Sequence, residues 1–343
     1  MRLRGGRPLH RAIYRLAAIA PLAAAFLLCG CAPKTAPAPE NLFRVALLTP
    51  GPVSDAGWNA AAFEGLQLIK ARLGAQTAMV QTASPADFDD ALRDFAARGF
   101  KLIFANGFEY TDAAIAAGRD FPHTIFVVSS GSRSSANVAS VSFALEQATY
   151  TEGVVAGLMS KTGIAGAIGG IELPAIKLTF EGFRMGFNSV RPAGKVLVSY
   201  TGDFDDVGAA KEAALAQISR GADFLIHNAD AAGLGVLQAA QERHVYVFGA
   251  YRNQNFVAGR ATIASAVVDV PDAFVKIAAQ VKAGTFHPSM LTFGMKDNMV
   301  KVVFNPALAD RIPTAVRQRV RQVEQGIVSG AIRMPALPAA PAS

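Results

Sequence analysis

From Phe43 onward the chain alternates short β-branched or aliphatic runs with longer stretches of helical period, the pattern of a parallel sheet covered by helices on both faces. Strands are expected at residues 44–49, 78–82, 102–105, 124–128 and 140–143, each followed by turn residues. Helices are expected between them at 59–73, 85–98 and 111–119, and Phe88, Leu92 and Phe95 mark the apolar face of the second. A long helix, 146–161, leads into a second cycle, with strands at 164–168, 195–200, 224–227 and 246–249 and helices at 175–190, 207–220 and 231–243. A further helix at 272–283 and a late strand at 300–304 would cross back between the halves. Two similar α/β halves in succession predict two doubly wound, parallel-sheet lobes joined by a hinge, with a ligand cleft between them. The expected division puts residues 43–145 and about 266–300 in lobe 1, and 146–265 and about 301–333 in lobe 2. In such sheets ligands sit outside the carboxyl ends of the strands. That directs attention to the loops at 50–59, 106–110, 129–135, 169–175, 201–206, 228–233 and 250–255.

At 343 residues the chain is long enough for two such lobes, and its formal charge of +7 changes meaning once it is located. Arg2, Arg4, Arg7, Arg11 and Arg15 lie in the first thirty residues; without them 28 basic residues face 26 acidic ones. A balance that close to neutral carries no electrostatic footprint for nucleic acid. The arginine-rich start, the apolar stretch 16–28 and the small residues after it form an export signal, too short to span as a transmembrane helix. Leu28-Cys29-Gly30-Cys31 matches the lipobox of bacterial lipoproteins, which makes Cys31 the acylated first residue of the mature chain. An ordinary secretory signal with two incidental cysteines is the alternative. A proline-rich spacer (31–42) would hold the domain off the membrane, and a proline-alanine tail (334–343) is expected to be disordered.

Candidate chemistry is sparse. Both cysteines precede the folded part, which removes disulfides and thiol nucleophiles from it. The five histidines show no metal-ligand spacing, so no metal is expected. Gly163-x-x-Gly166-x-x-Gly169-Gly170 and Gly233-Leu234-Gly235 do not fit the dinucleotide fingerprint, and no Gly-x-Ser-x-Gly elbow is present. No cofactor and no catalytic constellation is therefore expected. The loop after the first strand is the informative one: it sets Asp55, the single tryptophan Trp58 and Asn59 at the start of a helix. Asp55 also suits a helix cap and Trp58 a core position. A flat aromatic beside hydrogen-bonding groups is what a planar heterocycle needs, and Phe204 of the second half could close on the other ring face.

These residues, in order, resemble a known family. The features are Val53-Ser54-Asp55-Ala56-Gly57-Trp58-Asn59, Phe121-Pro122, Glu152-Gly153-Val154-Val155-Ala156-Gly157, Gly169-Gly170 and Phe180-Glu181-Gly182-Phe183-Arg184-Met185-Gly186. The loop 202–206, Gly221-Ala222-Asp223, Gly233-Leu234-Gly235-Val236 and Phe304-Asn305-Pro306 follow. Together they resemble the basic membrane protein family of ABC-transporter solute-binding lipoproteins, which includes the purine nucleoside receptors. The resemblance implies a type I periplasmic-binding-protein fold, lobe closure around one purine-like ligand, delivery to an ABC permease and its ATPase, and no catalysis. It implies an extracytoplasmic location on a cell or outer membrane through the lipid anchor. It assigns Asp55, Trp58, Asn59, Asn106, Phe204 and Asp206 to the ligand loops, and Tyr251, Asn253 and Gln254 to the hinge-side loop. A ligand sensor for a membrane signalling partner, or the same fold on another small polar solute, fits the same sequence. Nucleoside binders of the family carry Gly-x-Asp-x-Asp-Gln for the ribose hydroxyls, whereas this chain reads Gly249-Ala250-Tyr251-Arg252-Asn253-Gln254, and Val268 stands where a ligand-facing lysine is expected. Those departures favour a free nucleobase, or another flat polar heterocycle lacking the ribose, over a nucleoside.

Overall fold

The apolar runs become strands because both of their faces are covered. The computed structural model describes residues 42–54 and 57–335. The export signal, Cys31, the spacer, Asp55 and the last residues of the tail lie outside the described residues. The first half runs β1 (Arg44–Thr49), α1 (Trp58–Leu73), β2 (Gln76–Gln81), α2 (Pro85–Ala97), β3 (Leu102–Ala105), α3 (Thr111–Asp120), β4 (Ile125–Ser129) and β5 (Val138–Phe143). The second runs α4 (Leu145–Met159), β6 (Ile164–Gly169), α5 (Pro174–Val190), β7 (Lys195–Tyr200), α6 (Val207–Ser219), β8 (Phe224–Asn228), α7 (Gly233–Arg243), β9 (Tyr246–Tyr251) and β10 (Thr262–Val268). The chain then continues through α8 (Val270–Lys282), β11 (Met290–Phe293), β12 (Val300–Phe304) and α9 (Thr314–Val328).

One six-stranded sheet has the order β11-β5-β4-β3-β1-β2, with its neighbours paired in parallel. The other has the order β12-β10-β9-β8-β6-β7 and is parallel except where β12 meets β10. In each sheet the first strand lies inside, with the second strand on one side and the third on the other. The order therefore reverses between β1 and β3, and between β6 and β8, which is where an open α/β sheet leaves a crevice. Along β1, β3 and β4 alternate residues enter different cores: Leu47, Phe104 and Val127 face α1 and α8, while Leu48, Ala105 and Val128 face the opposite layer. Phe274 of α8 stacks on Phe104 with ring centroids 4.0 Å apart.

Local signals set the helix ends. Ser84 and Asp87 form a reciprocal capping box at α2 with Pro85 at its first position, and α1 stops at Gly74 in the left-handed region, φ 64°. Helices α4 and α5 cross at backbone contact. A Cβ on Gly153 would meet the Phe183 carbonyl oxygen, one on Gly157 that of Phe187, one on Gly182 that of Glu146 and one on Gly186 that of Tyr150. Late in the chain, Asn305 donates to the carbonyls of Asn255, Gly259 and Thr262, tying the segment after β9 to the end of β12.

Candidate functional site

The strand ends at the two reversal points supply the polar side chains that meet between the halves. From the first half come Trp58 and Asn59, on the opening turn of α1, and Asn106, directly after β3. Asn59 and Asn106 are buried, and Asn106 Nδ2 donates to Asn59 Oδ1 at 3.1 Å. Trp58 meets two rings: Phe143 at the end of β5 edge-on, centroids 6.2 Å apart at 84°, and Tyr251 at the end of β9, 5.5 Å apart at 59°. Tyr251 reaches across because its backbone turns into the left-handed region, φ 62°. Its hydroxyl donates to Asn228 Oδ1 at 3.0 Å, and Asn228 Nδ2 donates to Thr179 Oγ1 at 3.0 Å. Burial foremost, with the charge of Asp230 adding to it and the Asn228 bond opposing, pushes the phenol up to about 12, so it stays a neutral donor.

Asp230, which sequence reasoning did not single out, joins the halves. It sits at φ 47°, and its Oδ1 accepts from the backbone N–H of Trp58 at 3.2 Å. The N-cap of α1 is Gly57, which has no side chain to offer, so a carboxylate from the second half serves the start of a helix in the first. A second link across the halves is the ion pair between Arg252 and Glu64 of α1, 2.9 Å, beside a cavity of about 170 Å³ lined by Ala61, Glu64, residues 251–253 and the segment around Asp269.

The remaining expected residues have other surroundings. Phe204 packs over Gly170, just beyond β6, so the ring that meets Trp58 from the second half is Tyr251. Asp206 is exposed and caps α6 by accepting from Ala209 N at 2.9 Å. Asn253 is exposed, and its Oδ1 accepts from Asn255 N. Gln254 is buried, and its Oε1 accepts from Ala250 N and from His227 Nε2, both at 3.0 Å. Since that oxygen is already an acceptor, His227 carries its proton on Nε2. Burial pushes His227 down to about 4, the Gln254 bond acting in the opposite direction, so the ring is neutral at pH 7. Gln254 thus holds the backbone that carries Tyr251.

Among the described residues no group of three or more His, Cys, Asp or Glu is placed to hold a metal ion, and no helix is long and apolar enough to cross a membrane. Polar and aromatic groups converging at two strand-order reversals define a two-lobed substrate-binding protein of the type I periplasmic class. The model of the Bmp family, PnrA-like ABC transporter substrate-binding proteins, matches residues 42–337, and the chain belongs to that family. A purine-binding protein of Brucella abortus is 27% identical over 85% of this chain and 82% of its own length. An ABC transporter nucleoside-binding protein of Lactococcus lactis is 27% identical over 95% of this chain and 99% of its own length. Among solved structures, an ABC transporter solute-binding protein of Conexibacter woesei superposes with a TM-score of 0.70 at 28% identity, covering 85% of this chain and 98% of that one. The family consists of extracytoplasmic binding proteins that take up a small molecule for an ABC permease, and its members here are binding proteins, not enzymes.

Proposed function

We propose that this chain is the lipid-anchored receptor of an ABC importer for purines, anchored at Cys31, and that it takes the free base in preference to the nucleoside. The observation that carries the reading is the contact of Trp58 with Tyr251 across the halves. Opening the lobes parts these rings and frees a face of Trp58 for a planar heterocycle, while Phe143 holds the indole from its edge. Asn106, Asn228 and Asp230 surround that space with donors and acceptors suited to the rim of a base. Tyr251, a phenol already engaged with Asn228, stands where nucleoside binders of the resembling family place an acid for the ribose hydroxyls. A carboxylate accepting from sugar hydroxyls contributes about 1.5–3 kcal/mol per bond, which this loop forgoes.

The test is a thermal-shift series on the full chain in detergent, with adenine, hypoxanthine, adenosine, inosine, ribose and amino acids. A ligand at one hundred times its Kd stabilises by about 2.7 kcal/mol, which is readily measured. Purine bases should raise the melting temperature more than their nucleosides, and Trp58→Ala should abolish the rise. Stabilisation by ribose or amino acids alone would sink the purine reading and leave the family assignment intact.

A further inference from the structure

Two buried polar atoms at the ends of β3 and β4 have no protein partner. Asn106 and Ser129 are both 0% exposed, yet Asn106 Oδ1 and Ser129 Oγ make no hydrogen bond. The sheet sets them side by side: Ala105 of β3 pairs with Val128 of β4 in parallel register, so the next residue of each strand stands next to the other. Both fall on the sheet face that carries Phe104 and Val127, the face covered by α1. Ser129 in turn pairs with Val141, and two residues beyond Val141 on that same face is Phe143, whose ring meets Trp58. The backbone leaves Ser129 at once, because Ser130 turns to φ 57° and bonds to the Val141 carbonyl, so the hydroxyl is not drawn into a turn. Nor is the asparagine free to rotate away, since its Nδ2 is committed to Asn59 Oδ1. Leaving such groups unmet inside a protein costs free energy, and buried polar atoms are otherwise almost always paired. A pair of them, adjacent on one sheet face, is what a site looks like before its ligand supplies the partners.

We infer that Asn106 and Ser129 together read one edge of the bound purine, Asn106 Oδ1 accepting an N–H of the ligand and Ser129 Oγ donating to a neighbouring lone pair. This deepens the proposed function and rests on it. The pairing matches the N6 amino group and adjacent ring nitrogen of adenine, and, with the base turned over in the cleft so that donor and acceptor keep their order, N1–H and O6 of hypoxanthine. The reader is therefore tolerant at position 6 of the ring and demands only a donor beside an acceptor.

The test measures Kd by calorimetry for adenine and hypoxanthine with the wild type and Ser129→Ala, and the melting temperature of each without ligand. Loss of one hydrogen bond to a buried partner predicts a Kd about 10-fold weaker for both bases. The ligand-free variant should melt at the same temperature or higher, because the substitution deletes a group that had no partner. A Kd unchanged within 2-fold, in a wild type that binds purines, overturns the pair and leaves the proposed function standing. A weaker Kd accompanied by a lower ligand-free melting temperature also overturns it, since that is the signature of a packing role. A wild type that binds no purine sinks both.

Discussion

His227 should make the protein acid-sensitive over a defined window. The ring lies in the interior with Nε2–H on Gln254 Oε1, and its Nδ1 packs against Gly233, the first residue of α7, so closely that a Cβ there would collide with it. Protonating Nδ1 would place a donor without an acceptor, and a positive charge, at the positive end of that helix. The folded ring is held at about 4, against 6.5 for an unperturbed histidine. A depressed folded value means the unfolded chain binds the proton more readily between those limits. Stability from this group is thus fully present above pH 6.5 and lost as the pH falls toward 4. Linkage over 2.5 units gives about 3 kcal/mol in total, of which about 2 kcal/mol is gone by pH 5. Full burial of the ring means that no solvent screening reduces the figure. Glu152, inside α4, works against it. Burial holds its carboxyl well above the ordinary range, with the backbone of Ala266 pulling the other way, so that group favours the folded state as the pH drops. Wild type alone therefore cannot isolate the histidine, and a difference can. Urea unfolding of wild type and His227→Gln at pH 7 and pH 5 should show the wild type losing about 2 kcal/mol more than the variant across that interval. Equal losses in the two proteins would refute the argument, as would a wild type that gains relative to the variant on acidification.

Two further outcomes follow from contacts between elements. Gly186→Ala should destabilise by about 1–3 kcal/mol in urea, because its methyl group meets the Tyr150 carbonyl oxygen; alanine is the better helix former by about 1 kcal/mol, so a stabilised variant would show that α4 and α5 do not approach this closely. Asp230→Gly, which keeps the left-handed backbone and deletes the carboxylate on Trp58 N–H, should shift the ligand-free protein toward open lobes, read as a larger radius of gyration in small-angle scattering; an unchanged radius would mean the bond does not hold the halves together.

The sequence made the α/β alternation plain. The strands at 44–49, 102–105, 195–200 and 300–304 form where the apolar runs predict them, because a short run bounded by turn residues has few alternatives. What escaped has specific causes. Strand β10, Thr262–Val268, is built largely of small residues and buried on both sides, so it shows neither alternation nor bulk. Strand β11 is four residues at a sheet edge. Helix α9 buries Val316, Val320, Val323 and Ile327 at helical spacing, a stripe present in the sequence and masked by the arginines between them. At the candidate site, Trp58, Asn59 and Asn106 were legible because they close the loop after the first strand or follow the third strand directly. Asp230, Asn228 and Ser129 were not, since they become candidates only when β8 lies beside β6 and β4 beside β3, and sheet order is set by tertiary packing. The choice of Tyr251 rather than Phe204 as the ring against Trp58 depends on one backbone turn at φ 62°, which no periodicity reveals.

The glycine crossing of α4 and α5 has a meaning for how the molecule can accommodate its cargo. Where carbonyl oxygens of one helix fill the space a partner's methyl groups would need, backbone rests on backbone and the contact has no side chain that could turn aside. Such a seam has no slack: it is whole or it is broken, and it cannot be loosened by degrees to make room. Part of the second half therefore behaves as an anvil. The contacts of Trp58 with Phe143 and Tyr251 are of the other kind: they are made through side chains alone and can be re-posed by a few torsions, which under the proposed function is where solutes of different outline would be fitted.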